Sequence, residues 1–594
     1  MPAGDVLSIG DPVCGLIQLP WPARAFVDSR IFQRMRHIKQ LGMCPYVYAG
    51  ATHSRFLHSL GTSYLALELM KELQRRQLEL NITNRDVLCV TLAGLCHDLG
   101  HPCYSHMFEH FMHKQGAVMR SAAAARQQAL TLEEEALATR YERWTHEAAS
   151  IRLLRLLFEE LREPLREAGL TRDAEGDDFS FIEELIDPNK KELEQKLGTG
   201  RLKADWSQIM RGRPVEKAWM YEVVSNWRSG IDVDKFDYFR RDAYFLGIKR
   251  QFEHERYIKT VTVVMDPDGV PTLSPPSKDK DVLRDNMLEL RKTLHHMAYQ
   301  HKTVKKLESH MIDVLLLLNE GVRLTGEGGK KMTLAEAALE VDRVAYLKLT
   351  DSFVEGILLS GEDTCNHKAC KEYEDRILNR RLMRMVATWD LPREGETVVV
   401  RDGKSTFVTQ TLCPSEGAVI RGVLDGYDTA CKTERPSVPR RDVPIEELRC
   451  FIAAFHTGMK DQDPMCRVVF HAKTGSAVPQ QQGEDGGAKP LRRKVFVFWN
   501  PPYSKAGDEE ETTLKRLHSA FKDWAENLIK QHVPTSMPPP PSPGKQAQRG
   551  PSPAASPVRA LASATSQPLA RKRSLKIATS ARDDDDERAL GRAR

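Results

Sequence analysis

Histidine and aspartate residues gather at one point of the sequence in a combination that suits metal binding. The stretch "AGLCHDLGHPCYSH" places His97, Asp98, His101 and His106 at the end of an otherwise apolar run. A carboxylate in such a run is costly without a partner, so Asp98 pairs with His101, caps a neighbouring turn or binds a cation. Imidazole and carboxylate together suit zinc, manganese or iron, but one helix end cannot complete a coordination shell.

Two other segments offer further ligands. "HSRFLHSLG" supplies His53 and His58 near the start of an apolar-striped helix, with Arg55 on about the same face as His58. In "SGIDVDKFDYFRRD", helical spacing gathers five polar residues on one stripe: Asp234, Lys235, Tyr238, Arg241 and Asp242. Such a stripe is more often a solvated charge network, whereas its apolar flanks favour a partly buried, ligand-binding face.

The elements that must position these residues are mainly helices. From residue 30 to about residue 380, apolar residues recur at intervals of three and four, which predicts an α-helical body. The helix before the His-Asp pair should start with a capping box of Thr83 and Asp86 and end at Gly100, before Pro102. The polar, alanine-rich stretch 114–143 lacks a core face and predicts an exposed insertion.

The last third of the chain has a different residue pattern. From about Asp390, short β-branched and aromatic runs alternate with turn residues, and an amphipathic helix closes the region. We therefore expect a mainly α protein with three parts: a catalytic domain at 1–380, a smaller α+β lobe at 381–534 for regulation or oligomerisation, and a disordered tail at 535–594.

The positive net charge of the chain comes from its C-terminal tail. From residue 536 onward there are eleven Lys/Arg and five Asp/Glu, a surplus of +6, whereas the whole chain carries +5. Its Pro, Ser and Ala content predicts disorder. The cluster "ARKRSLK" could serve nuclear import or bind a polyanion, and Ser542, Ser552 and Ser556 precede proline as cyclin-dependent kinases require. A solvated tail without a specific function is an equally good interpretation.

Composition excludes several classes of protein. The 594 residues can bury a large core, and no run of about eighteen apolar residues exists to cross a bilayer. The first fifteen residues resemble neither a signal nor a transit peptide, and eleven cysteines, an odd number without a CxxC pair, suit reduced thiols. We expect no membrane association and a location in the nucleus, with the cytoplasm as a further address.

The ordered motifs resemble a known family. His58, His97-Asp98 and Asp234 reproduce the H…HD…D signature of the HD superfamily of metal-dependent phosphohydrolases. The likeness extends, from about Gly10 to about Thr350, to the vertebrate deoxynucleoside triphosphate (dNTP) triphosphohydrolases that combine a SAM and an HD domain. It rests on six segments: "DSRIFQRMRHIKQLG", "HSRFLHSLG", "LAGLCHDLGHPCYSHMF", "WTHE", "SGIDVDKFDYFRRD" and "AYQHK". The chain starts at the HD part, so we expect no SAM domain.

This resemblance implies a metal-dependent hydrolysis of dNTPs to deoxynucleoside and inorganic triphosphate. A transition metal (zinc, iron or manganese) would be held by four ligands: His58, His97, Asp98 and Asp234. Magnesium would accompany the triphosphate. The implied proton-handling or phosphate-contacting residues are His101, His106 and His146, and the triphosphate clamp comprises Arg55, Lys235, Tyr238 and Arg291.

The resemblance also implies how sugar and base are recognised. Gln40 and Asp242 would hydrogen-bond the 3′-hydroxyl, while Leu41 and Tyr299 would pack against sugar and base so that a ribose 2′-hydroxyl clashes. Deoxyribose preference would then be a steric exclusion. With few contacts to base edges, all four dNTPs should be accepted.

Allosteric control is implied as well, through GTP and dNTPs that bind between subunits of an active homotetramer. The matching effector residues are Asp28, Gln33, Arg36, Arg256 and Lys302. Four positions depart from the family pattern, where a lysine, an asparagine, an aromatic and a basic residue are replaced by Leu7, Gly10, Thr260 and Met297. We therefore expect activation that is retained but altered.

Roles in dNTP-pool control, antiviral restriction and DNA repair or replication are further expectations from the resemblance. Two other classes of function stay open at this point. Another HD phosphohydrolase, such as a nucleotide phosphodiesterase, would share the metal ligands but not need Gln40 or Tyr299. A scaffold that binds single-stranded RNA or DNA would use the basic tail, although intact metal ligands argue against pure scaffolding.

Overall fold

The computed structural model describes most of the chain up to residue 531. The described ranges are 6–173, 176–250, 252–360, 366–392, 397–399, 405–407, 412–433, 441–455, 464–472, 477–478, 492–501, 508–531 and 573–574. The chain divides into two compact units. The first unit is Met1–Leu382 with Phe455–Leu491, and the second is Met383–Ala454 with Arg492–Arg594.

Helices dominate the described residues, so the prediction of a mainly α protein is confirmed. They are α1 (Trp21–Val27), α2 (Arg30–Gln33), α3 (Arg55–Arg76), α4 (Asn84–Cys96), α5 (His106–Ala125), α6 (Leu132–Glu142), α7 (His146–Glu160), α8 (Arg162–Glu167), α9 (Asp178–Ile186), α10 (Lys190–Lys196), α11 (Leu202–Ile209), α12 (Val233–Phe245), α13 (His254–Thr260), α14 (Lys280–Val282), α15 (Glu289–Leu294), α16 (Lys302–Gly321), α17 (Leu334–Glu340), α18 (Asp351–Ser360), α19 (His367–Glu372), α20 (Glu416–Thr433) and α21 (Asp508–Gln531). None of the helices in the described ranges combines the length and apolar character that a bilayer crossing needs.

The strands are short. They are β1 (Leu7–Asp11), β2 (Gly15–Leu19), β3 (Arg172–Asp173), β4 (Gly176–Asp177), β5 (Thr262–Met265), β6 (Pro271–Ser274), β7 (Leu324–Thr325), β8 (Lys331–Met332), β9 (Arg384–Asp390), β10 (Thr397–Val399), β11 (Ser405–Phe407), β12 (Leu448–Phe455), β13 (Phe470–His471), β14 (Ala477–Val478), β15 (Arg492–Trp499) and β16 (Arg573–Ser574). In the first unit they form two-stranded antiparallel pairs, of which β1–β2 runs from Leu7↔Leu19 to Asp11↔Gly15.

The first unit is built around the packed pair α3 and α4. Leu60, Leu88 and Leu92 are buried in its core cluster. Helix α4 begins with the predicted capping box, in which the side chains of Thr83 and Asp86 each accept from the other's backbone N–H. Since α3 and α4 are buried on several sides, they fix whatever polar groups they carry.

The predicted end of α4 needs a correction. The helix ends at Cys96, four residues before Gly100, and its His-Asp pair lies in the turn that follows. Backbone hydrogen bonds from Leu99 N to Cys96 O and from His101 N to Asp98 O close this turn. A Cβ on Gly100 would lie 2.1 Å from the carbonyl oxygen of His146, so only glycine lets α7 approach this closely.

The stretch 114–143, predicted as an exposed insertion, is a helical hairpin. It comprises the distal part of α5 and all of α6, packed together through buried Gly116, Ala123 and Ala138. Most of its other residues are exposed, in agreement with the sequence-based expectation.

The second unit has its own core. Strands β12, β15 and β9 form a sheet in that order, and β15 and β9 pair antiparallel. Buried Val495, Val497 and Trp499 of β15 belong to the same cluster as Val419 and Val423 of α20 and Leu517 and Phe521 of α21. This unit is the α+β lobe that the texture of the sequence predicts.

One domain boundary differs from the prediction. Residues 455–491 belong to the first unit, because His471 pairs with Pro276 and hydrogen-bonds Ser274. Within the predicted tail the structure describes Arg573 and Ser574, whose backbone pairs with β10. The rest of the predicted tail, including Ser542, Ser552 and Ser556, lies outside the described residues.

Candidate metal centre and catalytic cavity

Four predicted ligands converge in the first unit. The Nε2 atoms of His58 and His97 lie 3.1 Å apart, and Asp234 Oδ1 lies 3.0 Å from the former and 3.4 Å from the latter. Asp98 Oδ2 lies 3.5 Å from the His58 nitrogen, and Asp98 Oδ1 lies 3.5 Å from the His97 nitrogen. Helix α3, the turn after α4 and helix α12 thus bring to one point the residues that the sequence places far apart.

The protonation of the two imidazoles fits a cation at this point. His58 Nδ1 donates to Asp237 Oδ2 at 2.8 Å, and His97 Nδ1 donates to Gly94 O at 2.9 Å. Each Nδ1 therefore carries the proton, and the two Nε2 lone pairs face each other and Asp234. Ligand atoms on one ion lie roughly 3 Å apart, because each bond is about 2.1 Å long. The residues present fit a divalent metal ion.

A buried network of charged side chains fixes the orientation of the His58 ring. Asp237 accepts from His58 and also from Arg241 Nε at 2.8 Å, and Arg241 Nη1 donates to Asp11 Oδ2 at 2.7 Å. The Arg241 and Asp237 side chains are 0% exposed. Burial would raise the pKa of Asp237, but Arg241 and His58 outweigh it and bring the pKa to about 2. Neither Asp11 nor Asp237 was identified from the sequence, and Arg241 faces this network instead of a ligand.

A cavity of about 580 Å³ opens above the ligand cluster. Three predicted cations line it, and each has a partner. Arg55 donates to Asp98 Oδ2 at 2.6 Å, Lys235 pairs with Asp232 at 2.9 Å, and Arg291 donates to the hydroxyl of Tyr238. The residues predicted to clamp the triphosphate therefore line one cavity, and their contact with phosphate stays a prediction.

The three predicted catalytic histidines form a second cluster in this cavity. The His101 ring is fully buried and stacks on that of His146, with centroids 3.8 Å apart, while His106 lies edge-on to both. Burial lowers the pKa of His101, helped by the charge of Arg55. Burial would also lower the pKa of His146, but its hydrogen bond to Glu109 raises the pKa above the ordinary value.

The predicted sugar-contacting residues meet at another part of the wall. Asp242 accepts from His53 Nε2 at 2.7 Å and from the hydroxyl of Tyr299. Gln40 and Leu41 also line the cavity, and the buried Gln40 Oε1 has no hydrogen-bond partner among the described residues. The sequence offered His53 as a further ligand, which is wrong: its ring holds Asp242. Its sequence position, five residues before His58, carries no signal for that role.

The predicted effector residues lie elsewhere in the first unit. Asp28, Gln33 and Arg36 follow one another from the end of α1 to the turn after α2, where Arg36 Nε donates to Gln33 Oε1 at 2.7 Å. Arg256 on α13 pairs with Asp279, and Lys302 begins α16. Their role in binding GTP or dNTPs stays a prediction.

Comparison with known proteins agrees with this geometry. The HD-domain family model matches residues 55–175, which contain three of the four clustered ligands. The class of protein defined by fold and site is therefore an HD-domain protein with a candidate metal centre.

Relatives narrow the class further. Deoxynucleoside triphosphate triphosphohydrolase SAMHD1 of Xenopus laevis is 32% identical, covering 87% of this chain and 74% of its own. The human protein of the same name is 37% identical over 78% of this chain and 65% of its own, and a Dictyostelium discoideum homolog is 27% identical over 79% and 71%. The chain belongs to the SAMHD1 family of deoxynucleoside triphosphate triphosphohydrolases.

Proposed function

We propose that this chain hydrolyses dNTPs to the deoxynucleoside and inorganic triphosphate. The observation that carries the proposal is the convergence of His58, His97, Asp98 and Asp234 at a cavity whose wall also holds Arg55, Lys235 and Arg291. A metal centre beside fixed cations is the combination that phosphate hydrolysis needs. The names of the family relatives point to the same substrate.

The four ligands would hold a divalent ion such as zinc, iron or manganese. When bound, the ion supplies Lewis acidity at phosphorus and lowers the pKa of a water molecule. The surrounding residues would bind the triphosphate and handle protons. Arg291 and Lys235 offset the charge of the triphosphate, and the exposed His106 and the His146–Glu109 pair are the groups that can hold or release a proton.

Sugar selection follows from the wall near Asp242. The Asp242 carboxylate is oriented by His53 and Tyr299, so an oxygen in a fixed place can accept from a 3′-hydroxyl. The unpartnered side-chain oxygen of Gln40 can accept a second hydrogen bond there. Burial and the neighbouring Asp242 hold the pKa of Tyr299 well above its usual range, so its hydroxyl stays a donor.

Activation by GTP and dNTP in a homotetramer is part of the proposal, carried by the family resemblance. Asp28, Gln33 and Arg36 would contact guanine, and Arg256 and Lys302 would contact phosphates. The four departures at Leu7, Gly10, Thr260 and Met297 should change effector affinity without abolishing activation. A tetramer whose assembly and activity ignore both GTP and dNTP contradicts this part.

The decisive experiment is a product assay on the purified protein with dGTP, Mg²⁺ and Mn²⁺, with and without GTP. Release of deoxyguanosine and triphosphate is expected. Asp234→Ala should abolish it while the melting temperature shows that the variant is folded. Pyrophosphate or monophosphate as product indicates another HD phosphohydrolase, and tight binding of single-stranded RNA with no deoxynucleoside formed indicates a scaffold.

A further inference from the structure

The loop between the His-Asp pair and His106 is held through its backbone by side chains from distant segments. Arg34 donates to the carbonyl oxygens of Leu99 and His101, and Tyr346 donates its hydroxyl proton to Gly100 O at 2.6 Å. Because each bond goes to a main-chain atom, this bracing fixes the path of the loop independently of the side chains that the loop carries.

The last two residues of this loop adopt an unfavourable backbone conformation. Tyr104 and Ser105 have φ of 60° and 57°, a region that residues other than glycine rarely enter. Such a conformation is strained and persists only where the surroundings hold it. His106, the next residue, starts helix α5, so the direction of its side chain depends on this strained turn.

One buried carboxylate holds the turn. Asp351, 2% exposed, accepts from Tyr104 N at 2.7 Å through Oδ1 and from Lys39 N at 3.1 Å through Oδ2. A second link joins the same two segments, because Ser105 Oγ donates to Lys39 O at 2.7 Å. Lys39 immediately precedes Gln40, so the two oxygens of Asp351 fasten together the segments that bear Gln40 and His106.

We propose that Asp351 is a positioning residue that sets the sugar-contacting segment around Gln40 in register with the strained turn before His106. Asp351 is not among the residues that line the cavity, and it acts through two backbone N–H groups. The inference rests on the proposed function for its kinetic consequence but not for its structural one. It assigns a catalytic purpose to helix α18, which starts at Asp351 and lies far from the HD motif in sequence.

The chain offers a matched control one helical turn away. Glu355 of α18 pairs with Lys39 Nζ at 2.8 Å, so it attaches the same helix to the same residue but through the side chain only. Glu355→Gln therefore loosens the attachment of α18 to Lys39 without touching a backbone N–H of either segment. A merely structural role for the attachment predicts similar effects for the two variants.

The first measurement is amide hydrogen exchange by mass spectrometry on the full chain. Asp351→Asn keeps one acceptor oxygen but turns an amide NH₂ toward one of the two N–H groups, so one hydrogen bond is lost. Faster exchange is expected in peptides that cover residues 38–42 and 102–108, with peptides over 55–60 unchanged. Glu355→Gln should leave all of them unchanged.

The second measurement is steady-state kinetics with dGTP. A misplacement of about 1 Å can cost roughly 10²-fold in rate, so Asp351→Asn should lower kcat by about that factor and raise KM severalfold, with metal affinity unchanged. Glu355→Gln should stay within about twofold of the wild type. Ser105→Ala removes the parallel link and also the hydroxyl that accepts from Arg55 Nε at 3.0 Å, so it should lower kcat as well. Its effect on the exchange of residues 38–42, which does not involve Arg55, should not add to that of Asp351→Asn.

Several outcomes overturn the proposal: equal effects of Asp351→Asn and Glu355→Gln, exchange that rises throughout the first unit, or wild-type kinetics in a folded Asp351→Asn protein. If Asp351→Asn does not fold, Ser105→Ala decides through the same exchange pattern. A wild-type protein that releases no triphosphate refutes the proposed function, whereas the exchange pattern still decides whether Asp351 joins the two segments.

Discussion

His58 and Asp237 are joined by a hydrogen bond of 2.8 Å that fixes which nitrogen of the imidazole faces the ligand cluster. The His58 Nδ1 proton points to the carboxylate, so Nε2 presents its lone pair beside His97 and Asp234. A carboxylate behind a metal-binding histidine also raises the basicity of the ring. Asp237 is therefore as much a part of the candidate metal centre as the four predicted ligands.

Replacing Asp237 should weaken metal binding. Asp237→Asn keeps the shape of the side chain but can turn an NH₂ toward Nδ1, which disfavours the required tautomer. Loss of a supporting partner of this kind typically costs 10–100-fold in metal affinity, and we expect a loss of roughly that size. Metal content after dialysis against a graded chelator measures it. Wild-type retention of metal by Asp237→Asn would falsify the support role.

The link between Arg241 and Asp11 should govern stability. Both side chains are 0% exposed, and breaking a buried ion pair by removing one partner costs about 3–5 kcal/mol. Asp11→Asn leaves Arg241 paired with Asp237 alone, so a loss near the lower end is expected in urea unfolding. Asp28→Asn is the control, since its pair with Arg24 is exposed and worth less than about 1 kcal/mol. Equal midpoints for the two variants contradict the expectation.

Gly100 should tolerate no side chain. A Cβ there would lie 2.1 Å from His146 O and 2.4 Å from Ser150 N, so Gly100→Ala must push α7 away from the turn that carries His97 and Asp98. We expect a loss of several kcal/mol in stability, as for other overpacked sites, and a strong loss of activity. Gly356→Ala on α18 is the control: its Cβ meets nothing within 4 Å, and a gain of about 0.5–1 kcal/mol is expected.

Asp351 should give stability a characteristic pH dependence. Burial raises its pKa from 3.8 to about 7, although Lys39 and the two backbone N–H groups oppose the shift and Glu355 adds to it. The folded state therefore binds more protons than the unfolded state between these two values, so stability falls as pH rises through this window and is level above it.

This pH contribution can be isolated by comparison. Between pH 5 and pH 8 the free energy of unfolding of the wild type should fall by roughly 2–3 kcal/mol more than that of Asp351→Asn, which has no titrating group at this position. Urea unfolding at both pH values checks it. A constant difference between the two proteins across this range is the contradictory result.

Local sequence patterns predicted much of the site. The capping box of Thr83 and Asp86 and the periodicity of α12 are short-range signals. They placed Asp98 near the C-terminal end of α4 and Asp234 near the start of α12. The partners that hold these residues come from far along the chain. Arg241 meets a carboxylate 230 residues away, so helical periodicity alone put it on the ligand stripe.

The same limit explains why the role of Asp351 could not be predicted from the sequence. Its contact with Tyr104 spans 247 residues, and nothing in "LTDSFVEG" distinguishes a carboxylate that binds backbone N–H groups from an ordinary first residue of a helix. The positive φ angles of Tyr104 and Ser105 could not be predicted from the sequence either, because neither tyrosine nor serine favours positive φ. Tertiary contacts create these features.

The wide separation of the ligands has a consequence for synthesis on the ribosome. The HD-type segment 55–175 contains His58, His97 and Asp98 but not Asp234. At about 5–20 residues per second, Asp234 follows Asp98 by roughly 7–27 s, and Asp351 later still. The nascent chain therefore carries an incomplete ligand set for many seconds, during which a metal ion can gain only partial coordination. With the proposed four-ligand site, a metal ion gains its full set of protein ligands only after Asp234 has been synthesised and has folded onto the earlier segments.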